Sequence, residues 1–395
     1  MSRPTVGVVG LGTMGAQVLW QLALRGVRAT GFETYAPGHA RGAAGGETRL
    51  FRNFELDDLG YAPVVRRADE LWEILQRESG RPLRTKTGVL VMGSPGHRQM
   101  RTALRSAEMS GLPYVVYDED ELARRHPEFD VDPGDIGLWD PRGGAIRPEL
   151  TVAAAADMAR RRGATVHTDA RVQGIESRRG RVVVVTESGE QVFDRVVVAA
   201  GGWTPGLIPA LAPTLMVRRL TSAWYFGRKP DYLDSIVPFI RTVPTYCYGL
   251  PVPDRTAMKV GLGFENHLAV DDPDTVPRVL RPEELAPFTA MVERYLPGLQ
   301  RHPMRTETYI ETYTEDRHEW IGELRELPGV IALAGFSGHG FKMCPAIGEI
   351  GAELAIDGAT TLDIGFLRGG TPPTQDAVAR GAASAYPVKP TTPGR

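Results

Sequence analysis

The chain has 395 residues, of which 42% are hydrophobic and 24% charged, and its formal net charge is −2. This length corresponds to between two and three domains at roughly 150 residues each. The balanced charge leaves no basic surface of the kind that binds nucleic acid or an anionic membrane, so we expect neither as a partner. Two cysteines, Cys247 and Cys344, cannot build a disulfide framework or a multi-cysteine metal site, which favours a reducing, cytoplasmic location.

The N-terminal segment resembles a signal peptide only superficially. Gln17 and Gln21 interrupt its apolar run, and several glycines lie within it, so we expect it to be part of the mature fold. No stretch of the chain reaches the roughly 18 consecutive apolar residues of a membrane span, and we expect no membrane segment.

A β-α-β pattern opens the chain, with a strand at 5–9, a helix ending near residue 25 and a second strand at 28–33. Residues 10–15, with the sequence GLGTMG, connect the first strand to the helix. Gly10 permits the tight turn, Gly12 lets a pyrophosphate approach the backbone, and Gly15 lets the helix and strand pack closely. Glu33 follows at about the 20-residue distance at which an acidic side chain binds a ribose. The pattern predicts a dinucleotide site but does not choose between NAD(P) and FAD.

The rest of the first half alternates helices and strands. Helices are predicted at 62–79, 97–110, 118–125 and 148–162, and strands at 87–92, 164–168, 181–186 and 195–200. The last strand runs into a second glycine break at Gly201, which returns the chain to the nucleotide-binding sheet.

From residue 214 the pattern changes to long strands with few helices. Strands are predicted at 216–226, 236–250, 257–264 and 305–314, with one helix at 282–295, and together they indicate an antiparallel second domain. A strand at 330–334, a glycine-rich loop and a helix at 346–356 then resume the nucleotide-domain pattern. The segment from Thr371 to the C-terminus lacks apolar periodicity, and we expect it to be disordered.

Five separated motifs, in order, carry a resemblance to a known family. They are the N-terminal glycine motif with Glu33, residues 45–52 (GGETRLFR), residues 248–251 (YGLP), Lys259 and residues 335–342 (GFSGHGFK). Over about residues 5–370 the chain resembles the monomeric sarcosine oxidase and N-methyltryptophan oxidase family, FAD-dependent amine oxidases of the D-amino-acid oxidase superfamily.

The resemblance implies an α/β fold in which a Rossmann-like FAD-binding domain of the glutathione-reductase type is interleaved with an antiparallel-sheet substrate domain. The FAD-binding domain would comprise residues 1–84, 144–212 and 323–372, the substrate domain 85–143 and 213–322, and the disordered tail 373–395. The implied reaction oxidises the C–N bond of a secondary or N-substituted amino acid to an imine, with FAD as cofactor and oxygen as acceptor, and yields hydrogen peroxide. We expect a monomer or a weak homo-oligomer.

The resemblance also implies roles for individual residues. Arg52 and Lys342 would bind the substrate carboxylate, and the candidate catalytic residues are Lys259, Arg49, Tyr248, Tyr313 and Glu311. Lys259 would lie beside the flavin N5 and promote the reaction with oxygen, while Arg49 would favour the reduced, anionic flavin. The candidate cofactor-binding residues are Gly10, Gly12, Thr13, Met14, Gly15, Glu33, Thr48, Arg49, Val172, Gly201, Trp203, Gly338, His339, Gly340, Phe341 and Lys342. The 8 histidines show no metal-ligand spacing, and no metal is expected.

The residues themselves leave plainer interpretations open. Arg49 and Arg52 could form a solvated surface pair, and Lys342 could be a loop lysine in water. Strand alternation places Glu311 and Tyr313 on one face of the 305–314 strand, and Tyr246 and Tyr248 likewise share a face. Tyr246 could equally be an ordinary core tyrosine. Lys259 projects from the face opposite the core residues of its strand, a face that could equally meet solvent.

Two departures from the family pattern qualify the resemblance. Glu311 stands where family members carry a cysteine joined covalently to the flavin, so we expect FAD to be bound without a covalent bond; Cys344 is a weak alternative anchor. Gly45 and Gly263 stand where family members often carry histidines, which predicts a wider or differently shaped pocket. Two alternatives remain: an NAD(P)-dependent dehydrogenase of the β-hydroxyacid type, and a flavin-binding protein without oxidase turnover.

Overall fold

A computed structural model describes residues 3–229 and 231–370. The C-terminal tail that the sequence predicts to be disordered lies outside these residues. Among the described residues, no helix combines the length and apolar character that crossing a bilayer requires.

The strands are β1 (Val6–Val9), β2 (Ala29–Phe32), β3 (Arg49–Phe51), β4 (Arg84–Thr85), β5 (Val89–Gly93), β6 (Val115–Tyr117), β7 (Ile136–Asp140), β8 (Gly144–Ile146), β9 (Thr165–His167), β10 (Val172–Arg178), β11 (Arg181–Thr186), β12 (Gly189–Phe193), β13 (Arg195–Val198), β14 (Met216–Tyr225), β15 (Phe239–Arg241), β16 (Cys247–Pro251), β17 (Met258–Leu262), β18 (Leu268–Ala269), β19 (Arg305–Tyr313), β20 (Trp320–Glu323) and β21 (Val330–Ala334). The helices are α1 (Thr13–Leu24), α2 (Ala62–Ser79), α3 (Arg98–Ser110), α4 (Glu119–Arg125), α5 (Pro148–Arg161), α6 (Thr204–Leu207), α7 (Tyr232–Ser235), α8 (Pro282–Tyr295) and α9 (Cys344–Asp357).

A six-stranded sheet with the order β20-β21-β13-β1-β2-β9 forms the nucleotide-binding side of the molecule. β1 pairs in parallel with β2 and β13, and β13 pairs in parallel with β21, so the carboxyl ends of these strands meet at one edge of the sheet. Every residue of β1 and β21 is buried, as expected for strands covered on both faces. α1 packs against α5 and α9, and residues of these helices share the largest apolar cluster of the described chain.

A nine-stranded, largely antiparallel sheet forms the other side. Its order is β18-β14-β17-β16-β15-β5-β7-β6, with β19 also paired to β14. The long strands predicted after residue 214 all contribute to it, which confirms the antiparallel second sheet. The NAD(P)-dependent alternative required a mainly helical second domain and is therefore wrong.

One predicted strand is wrong in its extent. The sequence suggested a single strand at 236–250, whereas the chain forms β15 and β16, which pair with each other as an antiparallel hairpin. Pro244 lies between them, and because proline has no backbone N–H to donate it does not continue a sheet ladder.

Candidate active site

The glycine motif forms a tight turn between β1 and α1. Gly10 has a φ of +83°, and a Cβ there would lie 2.7 Å from the carbonyl oxygen of Ala199 on the neighbouring strand segment. A Cβ at Gly15 would lie 1.8 Å from the carbonyl oxygen of Gly10, whereas no described atom lies within 4 Å of the Cβ position at Gly12. Gly10 and Gly15 are therefore required by packing, and Gly12 leaves open space at the N-terminus of α1.

Glu33 follows the carboxyl end of β2 and faces this turn. One carboxylate oxygen accepts a hydrogen bond from the backbone N–H of Leu11 at 2.8 Å, and the other accepts from the N–H of Tyr35 at 3.0 Å. These two bonds fix the carboxylate, while each oxygen keeps a lone pair for a ribose hydroxyl. The hydroxyl oxygen of Thr13, at the start of α1, is buried and has no partner among the described residues.

A cavity of about 670 Å³ extends from the glycine turn across both sheets to the loop after β21. Most residues predicted from the sequence line it: Gly10, Gly12, Thr13, Met14, Glu33, Arg49, Arg52, Val172, Gly201, Trp203, Tyr248, Glu311, Tyr313, Gly338, His339, Gly340, Phe341 and Lys342. Three of the predicted residues, Gly15, Thr48 and Lys259, are not part of its wall.

This cavity fits FAD in both shape and chemistry. The open space at Gly12 and the unpartnered hydroxyl of Thr13 lie at a helix N-terminus, where backbone N–H groups and the helix dipole favour phosphate. The Glu33 carboxylate can accept hydrogen bonds from a ribose. The cavity volume is within the range of about 300 to 1,000 Å³ typical of cofactor sites. Gly338 has a φ of +87° in the opposite wall, so the loop after β21 presents its backbone closely to the cavity.

Arg49 lies on β3 at the middle of the cavity wall. Its guanidinium donates to the carbonyl oxygens of Thr48 and Ala43, at 2.9 and 2.7 Å, and lies 5.4 Å from the centre of the Tyr309 ring. None of these partners is anionic, and within the same cavity wall the charge of Arg49 opposes the rise that burial causes in the pKa of Glu311.

Lys259 on β17 lies behind the wall rather than in it. Its side chain is 1% exposed, and Nζ donates to the carbonyl oxygens of Gly46 and Thr48 at 3.0 and 2.9 Å. Burial, followed by the nearby charge of Arg49, holds the pKa of Lys259 well below its usual range. These two hydrogen bonds therefore hold the backbone segment that directly precedes Arg49.

The structure brings Arg52 and Lys342 together at one end of the cavity. Both side chains are buried, and a carboxylate that the sequence analysis did not single out, Glu55, lies 3.5 Å from Arg52 Nη1 and 3.3 Å from Lys342 Nζ. The carboxylate of Asp57 is 3.9 Å from the Arg52 guanidinium. Burial lowers the pKa of Lys342 to about 8, and the negative charge of Glu55 opposes that shift.

Aromatic side chains form the adjoining walls. Tyr248 on β16 and Tyr313 on β19 line the cavity as predicted, and Tyr246 joins them two residues before Tyr248. Burial raises the pKa of all three phenols, so they stay protonated over the physiological range. Tyr246 is therefore part of the site rather than a core tyrosine.

Glu311 reaches the cavity from the same face of β19 as Tyr313. Its Oε1 accepts a hydrogen bond from the backbone N–H of Gly338 at 3.0 Å, and burial raises the pKa of the carboxyl. The Tyr313 hydroxyl lies 3.1 Å from His267 Nδ1 and 3.5 Å from Glu311 Oε2. Burial lowers the pKa of His267 to about 4, so this imidazole is neutral.

The two glycines that replace family histidines have different surroundings. A Cβ at Gly45 would lie 2.5 Å from the ring of Tyr309, so this position is already filled from β19. A Cβ at Gly263 would lie 2.6 Å from the carboxylate of Glu265, a cavity-lining side chain. The pocket therefore differs in shape, with Tyr309 and Glu265 occupying the places beside the two glycines.

Neither cysteine belongs to the cavity wall. Cys247 and Cys344 are both buried and unbonded. Cys344 is the first residue of α9, and burial raises the pKa of its thiol.

Sequence reasoning missed several cavity or near-cavity residues. They are Glu55, Asp57, Glu265, His267, Tyr309 and Glu319. The only sequence signal for the first two was an acidic run shortly after Arg52. Glu319 is fully buried and accepts a hydrogen bond from Tyr61, and no local pattern around it predicts that contact.

Comparisons with known proteins identify the family of the chain. Residues 5–354 match the profile of the DAO family, described as FAD dependent oxidoreductase. The chain therefore belongs to the FAD-dependent oxidoreductase family, and it is an enzyme whose cofactor is FAD.

The relatives narrow the class. The chain is 31% identical over 371 residues to the monomeric sarcosine oxidase of Streptomyces avermitilis, which covers 91% of this chain and 95% of that protein. It is 28% identical over 359 residues to the N-methyl-L-tryptophan oxidase of Yersinia pestis, with coverage of 90% and 96%.

Solved structures share the fold. The open form of NikD, described as an unusual amino acid oxidase essential for nikkomycin biosynthesis, gives a TM-score of 0.79 at 24% identity and covers 95% of this chain and 98% of that one. Glycine oxidase from Geobacillus kaustophilus gives 0.76 at 19% identity, with coverage of 93% and 98%. These similarities confirm the predicted fold class.

Proposed function

We propose that the enzyme oxidises the C–N bond of a secondary or N-substituted amino acid to an imine, with oxygen as acceptor and hydrogen peroxide as the second product. Bound FAD supplies the two-electron chemistry. The names of the relatives, sarcosine oxidase and N-methyl-L-tryptophan oxidase, support this substrate class.

One observation carries the proposal: two buried cations, Arg52 and Lys342, face the cavity that the nucleotide motif opens into. Buried cations of this kind suit a carboxylate, because charge-assisted hydrogen bonds are strong and a guanidinium can bind both oxygens. Arg52 and Lys342 would hold the substrate carboxylate and so orient the C–N bond.

The other wall residues would shape the site around the amine. Tyr248 and Tyr313, both protonated, would exclude water and offer hydroxyls to the amine nitrogen. Arg49 would supply a fixed positive charge where negative charge develops in the reaction, at no cost of reorganisation. The changed surroundings of Gly45 and Gly263 favour an N-substituted amino acid other than sarcosine.

The proposal extends to the setting of the enzyme. We place it in the cytoplasm, because its two cysteines are unpaired and buried, and we propose that it is a monomer or weak homo-oligomer.

A panel of N-substituted amino acids, each with peroxide detection on the purified yellow protein, tests this function. At least one N-substituted amino acid should bleach the flavin anaerobically and produce peroxide in air. A folded, FAD-loaded protein that is bleached by no member of the panel would instead favour a flavin-binding protein without oxidase turnover.

A further inference from the structure

Glu55 is a buried carboxylate placed between two cations. It is 0% exposed, and its Oε2 lies 3.3 Å from Lys342 Nζ and 3.5 Å from Arg52 Nη1. Its backbone N–H donates to the hydroxyl of Ser106 on α3 at 2.9 Å, which holds this part of the chain in place. The carboxylate is therefore fixed against both charges.

Glu55 lies on the far side of these cations from the substrate. Arg52 and Lys342 are part of the cavity wall, and Glu55 is not. A ligand in the cavity would meet the two cations and not the carboxylate behind them. This position is that of a counter-ion.

The negative charge of Glu55 affects the protonation state of Lys342. A buried ammonium group loses its hydration, which favours the neutral amine. Within the described chain, Nζ donates to the carbonyl oxygen of His339 at 3.3 Å and lies at the same distance, 3.3 Å, from the Glu55 carboxylate. The charged or titratable groups that face Lys342 are Arg52, Glu55 and Asp57 from the segment after β3 and His339 from the loop after β21. Of the two acids, Glu55 alone is within 4 Å of Nζ.

We propose that Glu55 is a positioning residue that keeps Lys342 in its ammonium form and thereby sets the upper pH limit for binding a substrate carboxylate. The inference rests on the proposed function, because it assigns Lys342 to carboxylate binding. The sign follows from the charges: the ammonium form is present at low pH and is lost as the pH rises. Removal of Glu55 moves that loss to lower pH.

Carboxylate binding to the FAD-loaded enzyme provides the test, with benzoate as the probe and the change in flavin absorbance as the signal. For the wild type, log Kd should be flat at low pH and rise above an inflection at about 8, the pKa of Lys342. Beyond the inflection the slope approaches about tenfold per pH unit when binding requires one proton. For Glu55→Gln the inflection should move at least about one pH unit lower, whereas Glu187→Gln, the same change at an exposed position, should leave it in place.

The position of the inflection is the readout, because a merely structural role would weaken binding without moving it. An inflection in Glu55→Gln that coincides with the wild type would overturn the inference. If Glu55→Gln does not fold, Glu55→Asp can replace it, because the shorter side chain keeps the charge but places it farther from Lys342. An inflection in Glu55→Asp at the same pH as in the wild type would then overturn the inference. A wild-type holoenzyme that binds benzoate at no pH would instead reject the carboxylate site itself, and with it the proposed function.

Discussion

Arg52 is the residue whose removal should change substrate choice most. Its guanidinium lines the cavity and has only partial anionic pairing, with Glu55 at 3.5 Å and Asp57 at 3.9 Å. We expect Arg52→Ala to lower kcat/KM for an amino-acid substrate by an amount equivalent to roughly 3 to 5 kcal/mol, since the substrate carboxylate would lose a desolvated partner. Arg52→Lys should also be damaging, because one ammonium cannot form the bidentate contact.

The comparison that isolates this role is between an amino acid and its decarboxylated amine. Wild type should strongly prefer the acid, and Arg52→Ala should lose most of that preference. An Arg52→Ala enzyme that retains the wild-type preference would remove Arg52 from carboxylate binding.

Lys259 combines a structural contact with a proposed catalytic one. Its Nζ donates to the carbonyl oxygens of Gly46 and Thr48, each of which also accepts a second hydrogen bond, so Lys259→Met removes two hydrogen bonds worth about 0.5 to 1.5 kcal/mol each without leaving an acceptor unpaired. If Lys259 also promotes the reaction with oxygen, stopped-flow measurements should show that step slowed by about 100-fold or more, at least about 2.7 kcal/mol of barrier. Reduction by substrate should slow far less.

The two roles can be separated by measuring thermal stability beside the two half-reactions. A lower Tm with an unchanged rate of the oxygen reaction would mean that Lys259 has a structural role only. If both half-reactions slow equally, the cause would be a displaced backbone segment around Arg49 rather than the lost charge of Lys259.

At the scale of elements, the turn between β1 and α1 permits a matched pair of substitutions. Gly15→Ala places a methyl group 1.8 Å from the Gly10 carbonyl oxygen, so we expect a large loss of stability despite the better helix propensity of alanine. Gly12→Ala places its methyl in open space, so the apoprotein should keep its Tm. The same methyl lies where the pyrophosphate approaches, and FAD affinity should fall by at least about tenfold, or about 1.4 kcal/mol.

Titration of the apoprotein with FAD, together with its thermal unfolding, decides this prediction. Wild-type FAD affinity in Gly12→Ala would mean that the phosphates do not approach at Gly12. An unchanged Tm in Gly15→Ala would contradict the packing of the turn.

The elements that could be predicted from the sequence are those specified by local chemistry. Glycine spacing and an acidic residue at a fixed distance define the β1-α1-β2 unit, and strand alternation placed Glu311 beside Tyr313. The hairpin of β15 and β16 was missed although Pro244, which lies between the two strands, is a local signal for a break in a strand. The position of Glu55 could not be predicted, since its partner Lys342 lies 287 residues further along the chain (342 − 55) and only the tertiary fold joins them.

At the scale of the whole molecule, the topology assembles the site from distant parts of the chain. The turn after β1, the segment around β3 and the loop after β21 meet in one cavity, closed by β16 and β19 of the second sheet. The resemblance predicted that distant parts of the chain alternate between the two sheets. It did not predict what surrounds Gly45. Tyr309 fills a space there that the missing histidine had suggested was open.

The same assembly bears on how FAD is held. Glu311 occupies the position of the expected anchor, and both cysteines lie outside the cavity wall. We therefore expect acid precipitation to release all of the flavin into the supernatant. Yellow colour that remains with the denatured protein would show a covalent link at another residue.

The most direct test of the proposed reaction is its stoichiometry. With an N-substituted amino acid identified from the panel, the enzyme should produce one hydrogen peroxide for each amine consumed and each oxygen taken up, and the decarboxylated analogue should react far more slowly. Amine loss without oxygen uptake or peroxide would contradict the oxidase assignment, and equal rates with the decarboxylated analogue would contradict recognition of the carboxylate by Arg52 and Lys342.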